Sequence, residues 1–292
     1  MNLLSVDKKR SLMRYHYVRF TAIHIILIAG ALLMLFPFFW LVSSSFKPVN
    51  QIFKIPIKWI PRDITFDNYI NGWKGLPGYS FSNFFLNSFK VTLTVVIATV
   101  FSSSFVAYGF ARINFRYRDF LFLVLLSTLM IPSQVTLIPL YVIFSKLHFL
   151  DTYIPLTIGS FLGGGAFFIF LMRQFYDSIP KELDDSAKID GCSHFRIYWS
   201  IMLPLSKPGL FSVAIFSFIW TYNDFMSPLI YLNSVSKYTI PVALRMFVDN
   251  AGMSNWGGLI AMTLVAMFPP LLVFFFAQRY FVEGIVTTGL KG

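Results

Sequence analysis

The chain has 292 residues, of which 56% are hydrophobic, 19% aromatic and only 13% charged, with mean hydropathy +0.66. Charged residues make up roughly a quarter of an ordinary globular domain, so this balance excludes a typical soluble enzyme. It also excludes disorder, which needs low hydrophobicity. A single cysteine, Cys192, excludes an intramolecular disulfide framework and any multi-cysteine metal site, and four histidines give histidine-metal chemistry little to work with. The net charge of +11 would suggest nucleic acid in a soluble protein. In a chain this apolar it reads as Lys and Arg gathered at membrane flanks, with a lipid bilayer and no nucleic acid as partner.

A spanning helix needs about 20 mostly apolar residues. Residues 1–19 carry Lys8, Lys9, Arg10, Arg14 and Arg19, the profile of a basic leader. The uncharged run that follows, 20–46, is about twice the length of a signal-peptide core (~7–15 residues), lacks a small-residue cleavage site and contains Pro37 and Trp40, so it reads as a retained first span. His24 within it reads as packed or lumen-facing. The next charge-poor runs are 91–111, 120–145 and 152–172. A shorter run, 208–223, continues past Asp224 to about Leu232, and a sixth covers 251–278. The fold class is therefore all-α, a polytopic membrane protein with six transmembrane helices and both termini on one side. Residues 1–19 form a terminal segment and 20–292 the membrane domain.

Placing the N-terminus inside gives the inner segments fifteen Lys and Arg residues against nine outside. The short Arg112, Arg116, Arg118 cluster weighs most, because short loops carry most of the topological signal. The expectation is a multi-pass protein of the bacterial cytoplasmic membrane with cytoplasmic termini. Lys90, beside the second span, is expected to snorkel to the interface.

Small residues at close-approach positions carry packing information in lipid. Ser103, Ala107 and Ala111 recur at i, i+4, i+8, and Gly159 and Gly163 form a GxxxG; both suggest tight helix contacts, or merely the usual small residues of membrane helices. Gly163 to Gly165 read as packing or flexibility. Pro37, Pro132, Pro139, Pro155, Pro269 and Pro270 interrupt the spans and can kink them.

Between the fourth and fifth spans, residues 173–207 are too long for a hairpin connection and are organised as helices. Ser178 is a plausible N-cap, Pro180 suits a first turn, and Glu182, Asp184 and Asp185 complement the helix dipole. Asp184 and Lys188 form an i,i+4 pair. Gly191 ends the helix, as a left-handed cap position prefers glycine. Phe195, Tyr198, Trp199 and Met202 then line one face of a second helix closed by Pro204 and Pro208. Helix, glycine turn and amphipathic helix have the shape of a docking knob or of a helix lying on the membrane surface.

The same residues resemble a family. The inner-membrane permeases of binding-protein-dependent ABC importers share E-A-A, three residues, Gly, nine residues, I-x-L-P. Here Asp185-Ser186-Ala187, Gly191 and Ile201-Met202-Leu203-Pro204 match every spacing, with Asp185 for Glu and Ser186 for the first Ala. Lys181, Glu182, Leu183, Ile189 and Asp190 echo the sugar-permease form K-E-L-x-E-A-A-x-I-D-G. Ala107 to Arg112 is similar to A-Y-A-F-A-R, Trp220 to Leu229 to W-N-D-F-x-x-P-L with Thr221 and Tyr222 inserted, and Gln278 to Gly284 with Gly289 to Gly292 to the tail of the MalG-like half of carbohydrate importers.

The resemblance implies the type I ABC importer permease fold, and a coupling helix from Glu182 to Gly191, with Asp185, Ser186, Ala187, Asp190, Ile201, Leu203 and Pro204 in its motif, seated in a cleft of an ATPase. It implies a second homologous permease, two ATPase subunits holding ATP and Mg, and an extracytoplasmic solute-binding protein meeting loops such as 233–250 and 47–83. No cofactor, metal or catalytic residue is expected in this chain, and no phosphate-binding G-x-x-x-x-G-K-[ST] loop occurs in it. The implied solute is carbohydrate, first an oligosaccharide, with glycerol-3-phosphate-type solutes as the alternative. A stand-alone secondary transporter or a membrane enzyme would need internal repeats, intramembrane charge or an acid cluster at one face, and the acids at 182–190 suit docking better.

For the solute path, Trp220, Tyr222 and Asn223 could stack on and hydrogen-bond a sugar or form an aromatic belt. Asp224, an acid at a span end, is a candidate functional group or an interfacial carboxylate paired to a neighbour. Cys192 reads as a small filler and Glu283 as a possible ATPase contact.

Overall fold

The computed structural model describes residues 3–61, 63–248 and 255–289, with side chains for 19–61, 63–248 and 255–277. The described residues are helices joined by turns: α1 (Leu3–Ser45), α2 (Val49–Ile52), α3 (Asp67–Lys74), α4 (Phe81–Arg112), α5 (Arg118–Ser127), α6 (Ser133–Lys146), α7 (Ile154–Phe161), α8 (Ala166–Ser178), α9 (Glu182–Ile189), α10 (His194–Ile197), α11 (Leu203–Leu205), α12 (Lys207–Tyr222), α13 (Met226–Tyr231), α14 (Ile240–Met246) and α15 (Trp256–Gly289). Four stretches are straight enough and apolar enough to cross a membrane: Arg19–Ser45, Phe81–Arg112, Ile154–Ser178 and Trp256–Ala277. Counting each of two bent pairs as one span brings the number to as many as six: Arg118–Met130 with Ser133–Lys146 at 97°, and His194–Leu205 with Lys207–Tyr222 at 76°.

The chain forms two compact units, residues 1–72 with 256–264, and residues 73–255 with 265–292. In the first, α1 exposes its apolar length, as a membrane helix must, and His24 sits on that exposed face, its Nδ1 2.8 Å from the Phe20 carbonyl rather than packed inside. After Ser45 the chain turns inward: Asn68 Nδ2 donates to the carbonyls of Ser45 (2.9 Å) and Lys47 (2.7 Å). Lys47 is buried, and burial lowers its pKa. Within the segment expected as an outer loop at 47–83, two short helices form, α2 and α3.

In the second unit α4 is the central post, against which α7, α8, α12 and α14 pack. It begins at Phe81, ten residues before the charge-free run, because Lys90 rides on the helix with its ammonium 5.6 Å from the Tyr153 ring centre. The small-residue stripe is buried as expected: Ser103, Ala107 and Ala111 let neighbours close on α4.

The other packing signal fails. A Cβ on Gly159 would meet nothing within 4 Å, so no described helix of this chain closes on that glycine. Gly163, Gly164 and Gly165 instead have φ of 98°, 67° and 106° and break the fourth span between α7 and α8. Gly164 is where the chain needs glycine twice over: besides its φ, a Cβ there would lie 2.6 Å from Thr99 Cγ2.

Of the prolines, Pro132 breaks its span. Ile131 before it is extended (ψ 116°), as a residue preceding proline prefers, and the chain bends there. Pro37, Pro139, Pro269 and Pro270 lie inside continuous helices, and Pro155 sits in the first turn of α7. The fifth span does not run on to Leu232: α12 stops at Tyr222 and α13 is a separate turn whose entry Asp224 caps, its Oδ1 accepting the Ser227 N–H at 3.1 Å.

Between α6 and α7, Asp151 (φ 56°) holds the segment that follows α13. Its carboxylate accepts the N–H groups of Asn233 (3.0 Å) and Ser234 (2.9 Å), the Ser234 hydroxyl (2.6 Å) and Lys237 Nζ (2.8 Å). Burial works against the charge, but these donors outweigh it and keep the carboxyl well below the usual carboxylate range. Asn87 Nδ2 adds bonds to the carbonyls of Ser236 and Tyr238, and Ser88 Oγ accepts the Ile240 N–H. Residues 233–248 are therefore folded onto the bundle rather than a free loop; 249–254 lie outside the described residues.

Candidate functional site

The segment from Arg173 to Lys207 carries the strongest sequence signal, and its geometry follows from a few local rules. Ser178 does not cap α9. Ile179 precedes Pro180 and is held extended (ψ 133°), which ends α8 at Ser178, whose hydroxyl turns back to the Phe175 carbonyl at 2.7 Å. The chain restarts after Pro180, with Lys181 in the cap position.

Glu182, Asp184 and Asp185 fall in the first turn of α9, where the helix dipole favours acids. Lys188 pairs with Asp185 at 3.4 Å, one turn away, and not with Asp184. Ser186 Oγ donates to the Glu182 carbonyl at 2.8 Å.

The helix ends as its glycine predicts. Gly191 has φ 79°, its N–H donates to the Lys188 carbonyl (3.0 Å), and the Cys192 N–H reaches back to the Ala187 carbonyl (2.9 Å). This paired bonding is the glycine-terminated cap, with the customary apolar contact between the residue after the glycine and the last turn: Ala187 is in the core and Cys192 packs against that core. A Cβ on Gly191 would meet nothing within 4 Å, so the demand for glycine is purely conformational.

Beyond the turn the expected stripe divides. Ile197, Tyr198 and Met202 are buried, whereas Phe195 and Trp199 are exposed. Ile197, Tyr198, Ile201 and Met202 fall at i, i+1, i+4 and i+5, the helix face turned to the core, and Phe195 and Trp199 lie beside that face; a π turn over Tyr198–Met202, in which the Leu203 N–H donates to the Tyr198 carbonyl, leads to the bend into α12. Ile201 and Leu203 are half-buried against the core and Pro204 is exposed at the bend into α12.

One face of α4 organises what lies behind. Ser104, Tyr108 and Arg112 follow each other at one-turn spacing. Ser104 Oγ shares hydrogen bonds with the hydroxyls of Tyr176 (2.6 Å) and Tyr198 (3.0 Å). Tyr108 OH donates to the His194 carbonyl at 3.1 Å. Arg112 Nη2 donates to the carbonyls of Tyr176 (2.6 Å) and Ile179 (2.5 Å), and its Nη1 lies 3.2 Å from Asp184 Oδ2.

Three spokes from one helix thus reach the end of α8, the start of α9 and the helix after the glycine turn. Sequence reasoning found Arg112 as a topology marker and Asp184 as a dipole complement, but not their pairing. The hint was available: of the three acids at the start of α9, Asp184 shares a helix face with Ala187.

The exposed side of α9 presents Glu182, Asp185, Ser186 and Asp190, an acidic, hydroxyl-bearing edge. Within the eight-residue helix only Asp184 and Ala187 are buried.

The four span-end residues part company. Tyr222 is buried, its hydroxyl donating to the Ala266 carbonyl at 3.1 Å. Asn223 Nδ2 turns back to the Ile219 carbonyl, and Asp224 caps α13. Trp220 is half exposed, with Phe167, Phe168 and Phe216 ring centres at 5.0, 5.3 and 5.8 Å beside the glycine break. Among the described residues no cluster of His, Cys, Asp and Glu could hold a metal ion. Glu283 and the other tail side chains lie outside the described side chains.

Comparison with known proteins agrees with this architecture. Residues 100–286 match the model of the binding-protein-dependent transport system inner membrane component family, well over half of the chain. A probable ABC transporter permease, YurM of Bacillus subtilis, is 33% identical over 98% of this chain and 92% of its own length. The arabinooligosaccharides transport permease AraQ of the same organism is 33% identical over 90% and 92%. The sn-glycerol-3-phosphate transport permease UgpE of Brucella melitensis is 33% identical over 91% and 95%. A chain of a bacterial ABC transporter involved in import of the acidic polysaccharide alginate superposes with TM-score 0.79 at 22% identity, covering 92% of this chain and 98% of that one, and so shares the fold. Up to six apolar spans, the helix-glycine-helix segment and these likenesses make the chain a multi-pass permease of the binding-protein-dependent transport system inner membrane component family.

Proposed function

We propose that this chain is one of two permease halves of an ATP-driven carbohydrate importer, that its solute is an oligosaccharide, and that α9 is the helix through which separate ATPase subunits act on it. The observation that carries the reading is the α9 knob: a short helix with an acidic exposed edge, closed by a glycine cap and tied by its hidden face to α4. A knob so held transmits displacement, which a solvated loop cannot. ATP and Mg sit on the ATPase subunits, since this sequence carries no phosphate-binding loop. A second permease completes the pathway and a solute-binding protein delivers the solute on the opposite face. The positive-inside bias puts both termini and α9 in the cytoplasm.

The solute assignment rests on relatives and on the glycine break. Relatives named for arabinooligosaccharides and for glycerol 3-phosphate are equally similar, so identity alone does not choose. Non-helical backbone at mid-span is tolerated only where protein or a water-filled path covers it. The break at 162–165 lies about midway along Ile154–Ser178, beside the half-exposed Trp220. The sequence at 152–172 and 208–223 brings no Lys or Arg there, which suits a neutral sugar stacking on an aromatic ring and offers a phosphate no cation. Of the span-end candidates, Tyr222 is buried, Asn223 is exposed with its amide turned back to the Ile219 carbonyl, and Trp220 is the exposed aromatic ring.

Affinity purification of the tagged chain from its own membranes should bring down a second permease and an ATPase. The purified complex in proteoliposomes, with the binding protein, should accumulate labelled arabino- or malto-oligosaccharides in preference to glycerol 3-phosphate. ATP-independent uptake by the chain alone contradicts the importer reading; preferred uptake of glycerol 3-phosphate contradicts the solute.

A further inference from the structure

We propose that Arg112 and Asp184 form a strut that makes α9 move as one body with α4 and α8, so that the pair sets the efficiency of energy coupling rather than the stability of the fold. The inference rests on the reading of α9 as the helix the ATPase acts on, and it names the residues that carry its displacement onward.

The geometry points to Arg112 in three ways. First, α9 has little grip of its own. Only Asp184 and Ala187 of its eight residues are buried, and an alanine methyl resists sliding weakly. Among the described residues, Asp184 is the one side chain of α9 that is paired by charge to another element. Second, Arg112 is not a simple counterion. One Nη holds the carbonyls of Tyr176 and Ile179 while the other faces Asp184 Oδ2, so a single planar group joins the end of α4, the end of α8 and the start of α9. Only the guanidinium has that reach; an ammonium is a point charge. Third, the pair is a poor stabilising device. Its side chains are 2% and 7% exposed, yet Asp184 Oδ1, Arg112 Nε and Arg112 Nη1 have no hydrogen-bond partner among the described residues, so the two groups are held by charge and not by a directed bond. Buried ion pairs with unsatisfied atoms roughly break even against apolar replacements in stability. What this one supplies is position: without it α9 keeps its covalent ends, the Pro180 turn and the Gly191 turn, but is free to rock between them.

The remaining inner charges are arranged differently. Arg173 pairs with Asp177 at 3.4 Å and stacks on the Phe122 ring at 3.8 Å, joining α8 to α5 without touching α9. It is the internal control.

The test uses the whole importer in proteoliposomes, in a Cys192→Ala background. The readout is the ratio of binding-protein-stimulated to basal ATP hydrolysis, together with ATPase subunits retained on purification. Arg112→Gln and Asp184→Asn should lower the ratio about 5-fold or more, the range of ordinary coupling energies, with ATPase subunits still bound. Arg112→Lys should recover part of it, and Arg173→Gln should leave it unchanged. Bridging an Arg112→Cys/Asp184→Cys pair with a short bis-methanethiosulfonate linker should restore the ratio, which repair of a folding defect would not explain. The strut is overturned if Asp184→Asn retains its ATPase subunits and the parental ratio, or if bridging restores nothing. A parental complex in which α9 does not touch the ATPase overturns instead the reading of α9 on which the strut rests.

Discussion

Lys237 Nζ lies 2.8 Å from Asp151 Oδ2 and 2.5 Å from the Asp151 carbonyl, so one lysine closes both the side chain and the backbone of the α6–α7 turn onto the segment after α13. With the two N–H groups and the hydroxyl that the same carboxylate accepts, this is the densest set of charge-assisted bonds described outside the spans.

Replacing Asp151 with Ala should therefore loosen residues 233–237 far more than an average surface change. Bonds to a charged group contribute about 1.5–3 kcal/mol each, partly recovered by water here, so a net loss of about 2 kcal/mol is expected. Hydrogen exchange in detergent should show the Asn233 and Ser234 amides losing protection while α4 keeps its own.

The same carboxylate fixes a pH dependence. Its folded pKa is depressed, so its contribution is complete above the unfolded value of about 3.9 and is lost as pH falls through the lower folded value. Amide protection at 233–234 should be flat from pH 8 to 5 once corrected for intrinsic exchange. A drop near pH 6 would assign the latch to another group.

At Gly191 the backbone alone decides. Its φ of 79° is costly for any residue with a Cβ, about 1–2 kcal/mol, and open space surrounds it. Stimulated ATP hydrolysis should fall in the order Gly, Asn, Ala, Val, because Asn tolerates the left-handed region and Val does not. An equal loss in all three variants would mean a steric contact rather than the turn.

In the fourth span, Gly164→Ala should destabilise and Gly159→Ala should not. The first adds backbone strain to a clash with Thr99, about 1–3 kcal/mol for such overpacking; the second meets open space. Thermal aggregation midpoints in detergent would rank them, and Thr99→Ser, which removes Cγ2, should relieve part of the Gly164→Ala loss.

How far the sequence could be read follows the range of each interaction. The α9 cap was legible because it is local: a glycine four residues beyond Ala187 prescribes the turn whatever surrounds it. The number of spans was legible from composition, but not their direction. Apolar content is the same on either side of Ile131, while the bend comes from that residue's backbone. The phase of the helix after Gly191 was misjudged because Phe195 and Trp199 are as apolar as Ile197, and composition does not choose which face meets the core. The Arg112–Asp184 contact was not legible as a pairing because its partners lie on α4 and α9, far apart in the sequence. Likewise nothing local marks Asp151 as a latch, because its donors come from the segment after α13.

The most direct measurement places single cysteines at Glu182 or Asp190 in a Cys192→Ala background and exposes the assembled transporter to a short thiol cross-linker, with and without ATP. Links to an ATPase subunit that change in yield when ATP is added, with both positions shielded from impermeant reagents outside intact cells, are the expected result. Labelling of either position from outside, or a complex in which neither reaches an ATPase, would contradict the account.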